Sequence, residues 1–303
     1  MRGNSLSRTH ATLPATDARF WLWSYDEMAA YDLPAMVRYV LSTTGARSLR
    51  YVGHSQGTTV LLAALAGAGG AGAPGRPAGA AALRAGDVER AALLAPVAVA
   101  KHIASVPLLA LAAMGTDGMF SLLGLHEFLP SQQLVAALEG RLCAAQPHLC
   151  VSFLAALCGY NPDNLDTRRL PLYLSYTPAG TSVQNMAHWA QAVRSRVPNS
   201  MSFFDYGSDC SARGGSGRCN QLIYGSPLPP RYNLTAISTP LALFSGSQDR
   251  LSTPIDLEYL LESLGPGVVR LARNIPSYEH LDFIWGSDAR EALYEEVLRF
   301  LAG

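Results

Sequence analysis

The sequence predicts an α/β fold: a parallel sheet flanked by helices, with a second, mainly helical layer inserted into it. Three observations carry this. Apolar runs of strand length alternate with amphipathic runs of helix length, the pattern of βαβ units. Between residues 101 and 235 that alternation stops, and short helical pieces, prolines and tyrosines take over. The chain has 303 residues, 49% hydrophobic and 15% charged, which supplies a sizeable core and argues against a disordered chain.

The elements follow in order. Residues 25–44 read as a helix, with Met28, Leu33, Met36, Val37, Val40 and Leu41 on one broad face. Asp32 is expected to cap the segment that begins at Leu33, Pro34 fits its first turn, and Gly45 should end it. A strand from Leu49 to Val52 leads into Gly53-His54-Ser55-Gln56-Gly57 and then a helix through Val60–Leu65. The Gly/Ala-rich run 67–80 reads as a surface-loop insertion. Arg90–Val99, Leu241–Ser245 and Val268–Ala272 are the next three strands. Pro254 opens and Gly265 closes a helix over Pro254–Leu264, and Arg290–Ala302 is the last helix. This divides the chain into a first core part, 1–100, an inserted cap, 101–235, and a second core part, 236–303.

Composition excludes several classes. Basic and acidic residues number 23 each, so the basic excess of a nucleic-acid binder is missing. No apolar run of membrane-spanning length is free of charge or breakers; residues 91–114 come closest and contain Pro96, Lys101, His102 and Pro107. There are five cysteines. Cys143, Cys150 and Cys158 cluster, but no Cys-x-x-Cys occurs and no histidine stands at zinc-ligand spacing, so no metal and no cofactor are expected. Cys210 and Cys219 are either bridged or free thiols; the residues leave both open.

The chemistry concentrates at Gly53-His54-Ser55-Gln56-Gly57, a G-x-S-x-G between a strand and a helix. Such an elbow turns too sharply for a Cβ at its flanks, which accounts for Gly53 and Gly57, and presents a strained serine at the carboxyl edge of the sheet. Ser55 is therefore the candidate nucleophile. A serine hydroxyl needs a base, and the base needs an orienting acid. Asp249 follows the strand Leu241–Ser245, and His280 follows the last strand, so all three residues fall on the same sheet edge in the order nucleophile, acid, histidine. The backbone N–H of Gln56 is the candidate oxyanion donor. His54 adjoins the nucleophile and is expected to pack beneath the elbow. Asp256 is expected to face solvent, and Glu279 and Asp282 to be loop or cap residues. His10, His102, His126, His148 and His188 lie outside the post-strand loops and read as surface or packing histidines.

At this point the sequence resembles the acid lipases of the gastric and lysosomal type, within the α/β-hydrolases. The resemblance rests on Phe20-Trp21, Ser24-Tyr25-Asp26-Glu27-Met28-Ala29 and Tyr31-Asp32-Leu33-Pro34-Ala35 ahead of the elbow. It continues through Tyr51 to Thr59, Leu94-Ala95-Pro96-Val97-Ala98, Cys158-Gly159-Tyr160-Asn161, Pro178 to Met186 and His188-Trp189. It goes on through Tyr206-Gly207, Pro229-Pro230, Tyr232-Asn233 and His280-Leu281-Asp282-Phe283-Ile284-Trp285-Gly286. It is broken mainly at 67–86 and 210–220. It implies an α/β-hydrolase fold, hydrolysis of neutral-lipid esters (triacylglycerols or steryl esters) at a lipid–water interface, and a cap over an apolar acyl pocket. The apolar residues of 105–130 suit such a cap. The family has secreted and lysosomal members, and Asn233-Leu234-Thr235 is a glycosylation sequon.

Two features set expectations of a different kind. The opening residues Met1-Arg2-Gly3-Asn4-Ser5 lack the apolar stretch of a signal peptide. No His-Gly occurs, although the family's second oxyanion donor lies near such a motif upstream. The chain is thus expected to be an N-terminally truncated hydrolase, and the alternative to a working esterase is a weakly active or inactive form that binds lipid. Epoxide and haloalkane hydrolysis use a carboxylate nucleophile, and Ser55 argues against them.

Overall fold

The structure, a computed structural model, describes residues 2–4, 6–68, 82–115, 125–128, 145–177, 179–195, 200–210 and 218–303. Among these residues the strands are β1 (Leu49–His54), β2 (Val88–Leu94), β3 (Glu127–Phe128), β4 (Thr181–Ser182), β5 (Leu241–Gly246) and β6 (Val269–Ile275). The order β1-β2-β5-β6 makes one sheet, and every pairing in it is parallel. β3 and β4 form a separate antiparallel pair, in the stretch of chain between β2 and β5.

Alternation along the central strands explains why both faces of the sheet are covered. Ala91 and Leu93 of β2, with Leu241 and Leu243 of β5, enter one core with the helices around residues 25–44 and 56–63. Their neighbours Ala92, Leu94, Ala242 and Phe244 face the other way and pack on Phe283, Leu293, Val297 and Leu301. A strand buried on both faces reads as an unbroken apolar run, which is the character of parallel sheets. β5 is buried at all six positions, whereas β1 and β6 alternate between partly buried and more exposed residues.

Several elements differ from expectation. The first helix begins at Ser24, whose hydroxyl and Glu27 form a reciprocal capping box. Asp32 lies inside continuous helical backbone, in a π-turn over Met28–Asp32, and makes no cap bond; its carboxylate pairs with Arg2 instead. Gly45 does end the helix, at φ 70°. β1 runs two residues further than expected, to His54, and β2 ends at Leu94 rather than Val99. Ala95, at φ 47°, turns the chain out of the sheet. The helix Pro254–Ser263 stops one residue early, with Leu264 as its cap. Most of the low-complexity run (69–80), Cys143 and Pro178 lie outside the described residues.

Between β2 and β5 the longer described elements are helices, Val106–Ala113, Pro147–Cys158, Leu170–Tyr176 and Val183–Arg194. Cys210 and Cys219 are joined by a disulfide, with Cα atoms 5.0 Å apart. Cys158 is a free thiol.

Candidate active site

Ser55, Asp249 and His280 stand at the carboxyl ends of β1, β5 and β6, and the parallel register brings them together. Ser55 occupies φ 53°, ψ −125°, a conformation that L-residues rarely adopt; it costs about 1–3 kcal/mol and persists only where the surroundings enforce it. The surroundings are specific. Its N–H donates to the Leu94 carbonyl at 3.1 Å, and its own carbonyl accepts from Thr58 N and Thr58 Oγ1 at 2.9 and 2.7 Å. Thr58 Oγ1 in turn accepts the N–H of Val97 at 3.0 Å.

The two glycines of the elbow are not equivalent. A Cβ on Gly53 would stand 2.7 Å from the Tyr51 ring and 3.1 Å from the Gly57 carbonyl carbon, so this position admits no side chain without a shift. On Gly57 it would meet only the Tyr51 hydroxyl, at 3.7 Å, an ordinary contact. The expectation that both glycines are forced by the turn therefore holds for Gly53 alone.

Nε2 of His280 lies 2.7 Å from Ser55 Oγ, and its Nδ1 lies 2.8 Å from Oδ2 of Asp249. A carboxylate only accepts, so Nδ1 carries the proton and Nε2 is left to accept from the serine hydroxyl. Asp249 is 4% exposed and His280 3%. The other oxygen of Asp249 accepts the backbone N–H groups of Leu251 and Ser252 at 2.7 and 2.8 Å, which fixes the carboxylate plane. Burial opposes a charge on His280, but the charge and hydrogen bond of Asp249, with the charge of Glu279, outweigh it and raise the imidazole above its usual range. The site is thus arranged to stabilise an imidazolium.

Gln56 opens the helix Gln56–Ala63 immediately after Ser55. Its N–H belongs to the first turn, which has no intrahelical acceptor, at the positive end of the helix dipole. Its side chain is also engaged: Oε1 accepts from Asn185 Nδ2 at 2.9 Å and from Trp189 Nε1 at 2.7 Å, both on the helix Val183–Arg194. A cavity of about 220 Å³ opens beside Ser55 and Gln56, walled by Val97 and Leu251 and, from the segments between β2 and β5, by Leu108, Met186 and Trp189.

Other residues take places the sequence did not indicate. His54 lies beside His280 rather than beneath the elbow, with its Nε2 2.8 Å from the His280 carbonyl oxygen. Asp256 is 2% exposed rather than solvent-facing; it accepts from His102 N at 2.9 Å and His102 Nδ1 at 2.7 Å. Asp282 is a buried hub, accepting from Asn161, Asn164 and the Glu279 N–H, and so joins the loop of His280 to residues 161–164. Glu279 is partly buried beside the triad, and burial pushes its carboxyl up to about 8. His188 is fully satisfied, stacked on Tyr25 and bonded to Ser24 and Ser202. Only the Cys158-to-Asn161 and His280-to-Gly286 blocks of the sequence hinted at the Asp282 contacts. Among the described residues no group of three or more His, Cys, Asp or Glu is arranged to hold a metal.

A family profile described as "alpha/beta hydrolase fold" matches residues 1–287. The chain is 36% identical over 302 residues to the lysosomal acid lipase/cholesteryl ester hydrolase of Rattus norvegicus, covering 99% of this chain and 69% of that protein. It is 35% identical over 304 residues to the gastric triacylglycerol lipase of Bos taurus, covering 99% and 70%. Human lipase member M is 36% identical over 306 residues, at 99% and 65% coverage.

Proposed function

The chain belongs to the lysosomal and gastric acid lipases of the α/β hydrolase fold, which makes it a carboxylic ester hydrolase, and from that premise we propose that it cleaves acyl esters of neutral lipids through an acyl-serine intermediate. The observation that carries the reading is the 2.7 Å approach of His280 Nε2 to Ser55 Oγ at the mouth of an apolar cavity.

The geometry supports the following sequence. Ser55 Oγ attacks the ester carbonyl while its proton passes to His280 Nε2. The developing oxyanion meets the N–H of Gln56, a donor held in the first turn of its helix. Collapse expels the alcohol, which takes the proton from His280, and a water repeats the cycle on the acyl-enzyme. Asp249 holds the Nδ1–H tautomer and stabilises the imidazolium between the two half-reactions.

Residues 101–235 form the cap in this reading, and the acyl chain lies in the cavity between cap and core. Triacylglycerols and steryl esters are both within the proposed class; the bovine relative's name carries the first and the rat relative's the second. The exposed apolar side chains Leu149, Phe153, Leu172 and Tyr176 belong to this region and suit contact with a lipid–water interface. No described helix is long and apolar enough to cross a membrane. The Cys210–Cys219 disulfide fits an oxidising compartment.

A fluorophosphonate probe tests the mechanism. It should label the wild-type chain and fail to label Ser55→Ala. A folded sample that neither labels nor hydrolyses an emulsified ester would sink the serine reading and favour a lipid-binding role.

A further inference from the structure

We propose that His54 is a positioning residue that sets the distance between Ser55 and His280, by holding the backbone of the catalytic histidine through a side-chain hydrogen bond. The inference rests on the serine-hydrolase reading above and assigns a task to a residue that takes no part in the proton transfers.

His54 is the last residue of β1 and directly precedes the strained Ser55. Its ring crosses to the histidine loop, where Nε2 approaches the His280 carbonyl oxygen to 2.8 Å and the two ring centroids stand 4.9 Å apart. A carbonyl can only accept, so Nε2 of His54 carries the proton. Burial, aided by the nearby His280 charge, pushes His54 down to about 4, so it is a neutral donor with a fixed tautomer through most of the pH range.

The bond closes a ring of contacts. One arm is Ser55 Oγ to His280 Nε2, at 2.7 Å, and the other is the His280 carbonyl to His54 Nε2. Both arms end on consecutive residues of one turn, so the elbow grips the histidine by its side chain and by its backbone. The alternative anchor is weak. The N–H of His280 reaches the Cys158 carbonyl only at 3.5 Å, at the limit of a useful hydrogen bond. Of the two backbone hydrogen bonds made by His280 itself, the one to the elbow is therefore much the shorter.

A simple space-filling role makes a different prediction. Phenylalanine keeps an aromatic ring but no donor; glutamine lacks the ring but can bring an N–H to the same place. His54→Phe is expected to lower kcat about 10²-fold, the scale of a displacement near 1 Å, with KM changed less than about twofold, since the acyl cavity is untouched. Fluorophosphonate labelling should slow in parallel. His54→Gln should recover most of the loss in both. The proposal is overturned if His54→Phe turns over like wild type, or if His54→Gln is as impaired as His54→Phe while both melt near the wild-type temperature. If a variant does not fold, the other decides: a wild-type rate in folded His54→Phe, or a full loss in folded His54→Gln, also overturns it. Failure of the underlying reading looks different, because the wild-type chain itself would then neither hydrolyse nor label.

Discussion

The carbonyl of Cys158 accepts the backbone N–H of Arg250 at 3.0 Å. This ties the end of an insertion helix to the loop that carries Asp249. The next residue, Gly159, is wedged between that loop and the one carrying His280: a Cβ there would stand 2.2 Å from the Gln248 carbonyl oxygen and 2.6 Å from Glu279 Cβ, and its φ is +135°. Gln248 in turn donates its N–H to the Tyr278 carbonyl at 3.0 Å. The loop of Asp249, the loop of His280 and the end of the helix Pro147–Cys158 thus meet at one close-packed point.

Gly159→Ala should therefore harm both stability and chemistry. The added methyl must push backbone apart, and overpacking of this kind costs about 1–3 kcal/mol. We expect a lower melting temperature and a reduced kcat, with labelling of Ser55 slowed. A variant with wild-type melting and wild-type kcat would show that the loops yield without consequence.

Asp249→Asn separates geometry from electrostatics. Asparagine fits the same space and can still accept from Leu251 and Ser252, but it can present an N–H to His280 Nδ1 and so favour the wrong tautomer. In the Ser-His-Asp enzymes such a change lowers kcat about 10⁴-fold. The same order is expected here, with little change in thermal stability. A loss under about tenfold would mean that Asp249 does not orient the base.

How far the sequence disclosed this site depends on the range of each contact. That Ser55, Asp249 and His280 share one sheet edge is legible because each follows a strand, and parallel strands place such residues together. The capping and turn chemistry at Gly45 and Gly53 is local and was equally readable. The burial of Asp256 is not legible, because helix periodicity does not reveal a partner 154 positions away, here His102. The task of His54 depends on a carbonyl 226 positions distant and has no local signature. Asp32 has the residue type of a cap, but the helix already begins at Ser24 and a π-turn carries it through that position.

Gln56 is expected to matter beyond its backbone. Its side-chain oxygen is the shared acceptor of Asn185 and Trp189, so Gln56→Ala leaves two donors at the core–insertion contact without that acceptor. An unsatisfied buried donor costs about 1–3 kcal/mol. Melting should fall accordingly. KM should change together with kcat, because Trp189 also lines the cavity. Gln56→Glu keeps an acceptor at the same place and should lose less stability than alanine; equal losses would argue against the hydrogen bonds.

The pH dependence of stability should carry the mark of Asp26. This carboxyl is buried, accepts from Tyr232 Oη at 2.5 Å and Phe204 N at 2.8 Å, and has His188 Nδ1 at 3.8 Å. Burial dominates the two hydrogen bonds and pushes it from the usual 3.8 up to about 7, and its neighbour Glu27 is raised for the same leading reason. The sign follows from proton counting. Between the unfolded and folded values the native state holds a proton that the unfolded chain has released, so stability falls as pH rises across that interval. The stabilisation is fully present below about pH 4 and is lost as pH rises through about 7. Melting temperatures measured from pH 4 to pH 8 should therefore decline with pH more steeply for the wild type than for Asp26→Asn, which cannot ionise there. The substitution is also expected to lower stability at acid pH, where the protonated aspartic acid is the better partner for Phe204 and Tyr232. Parallel curves for the two proteins would place the pH sensitivity elsewhere.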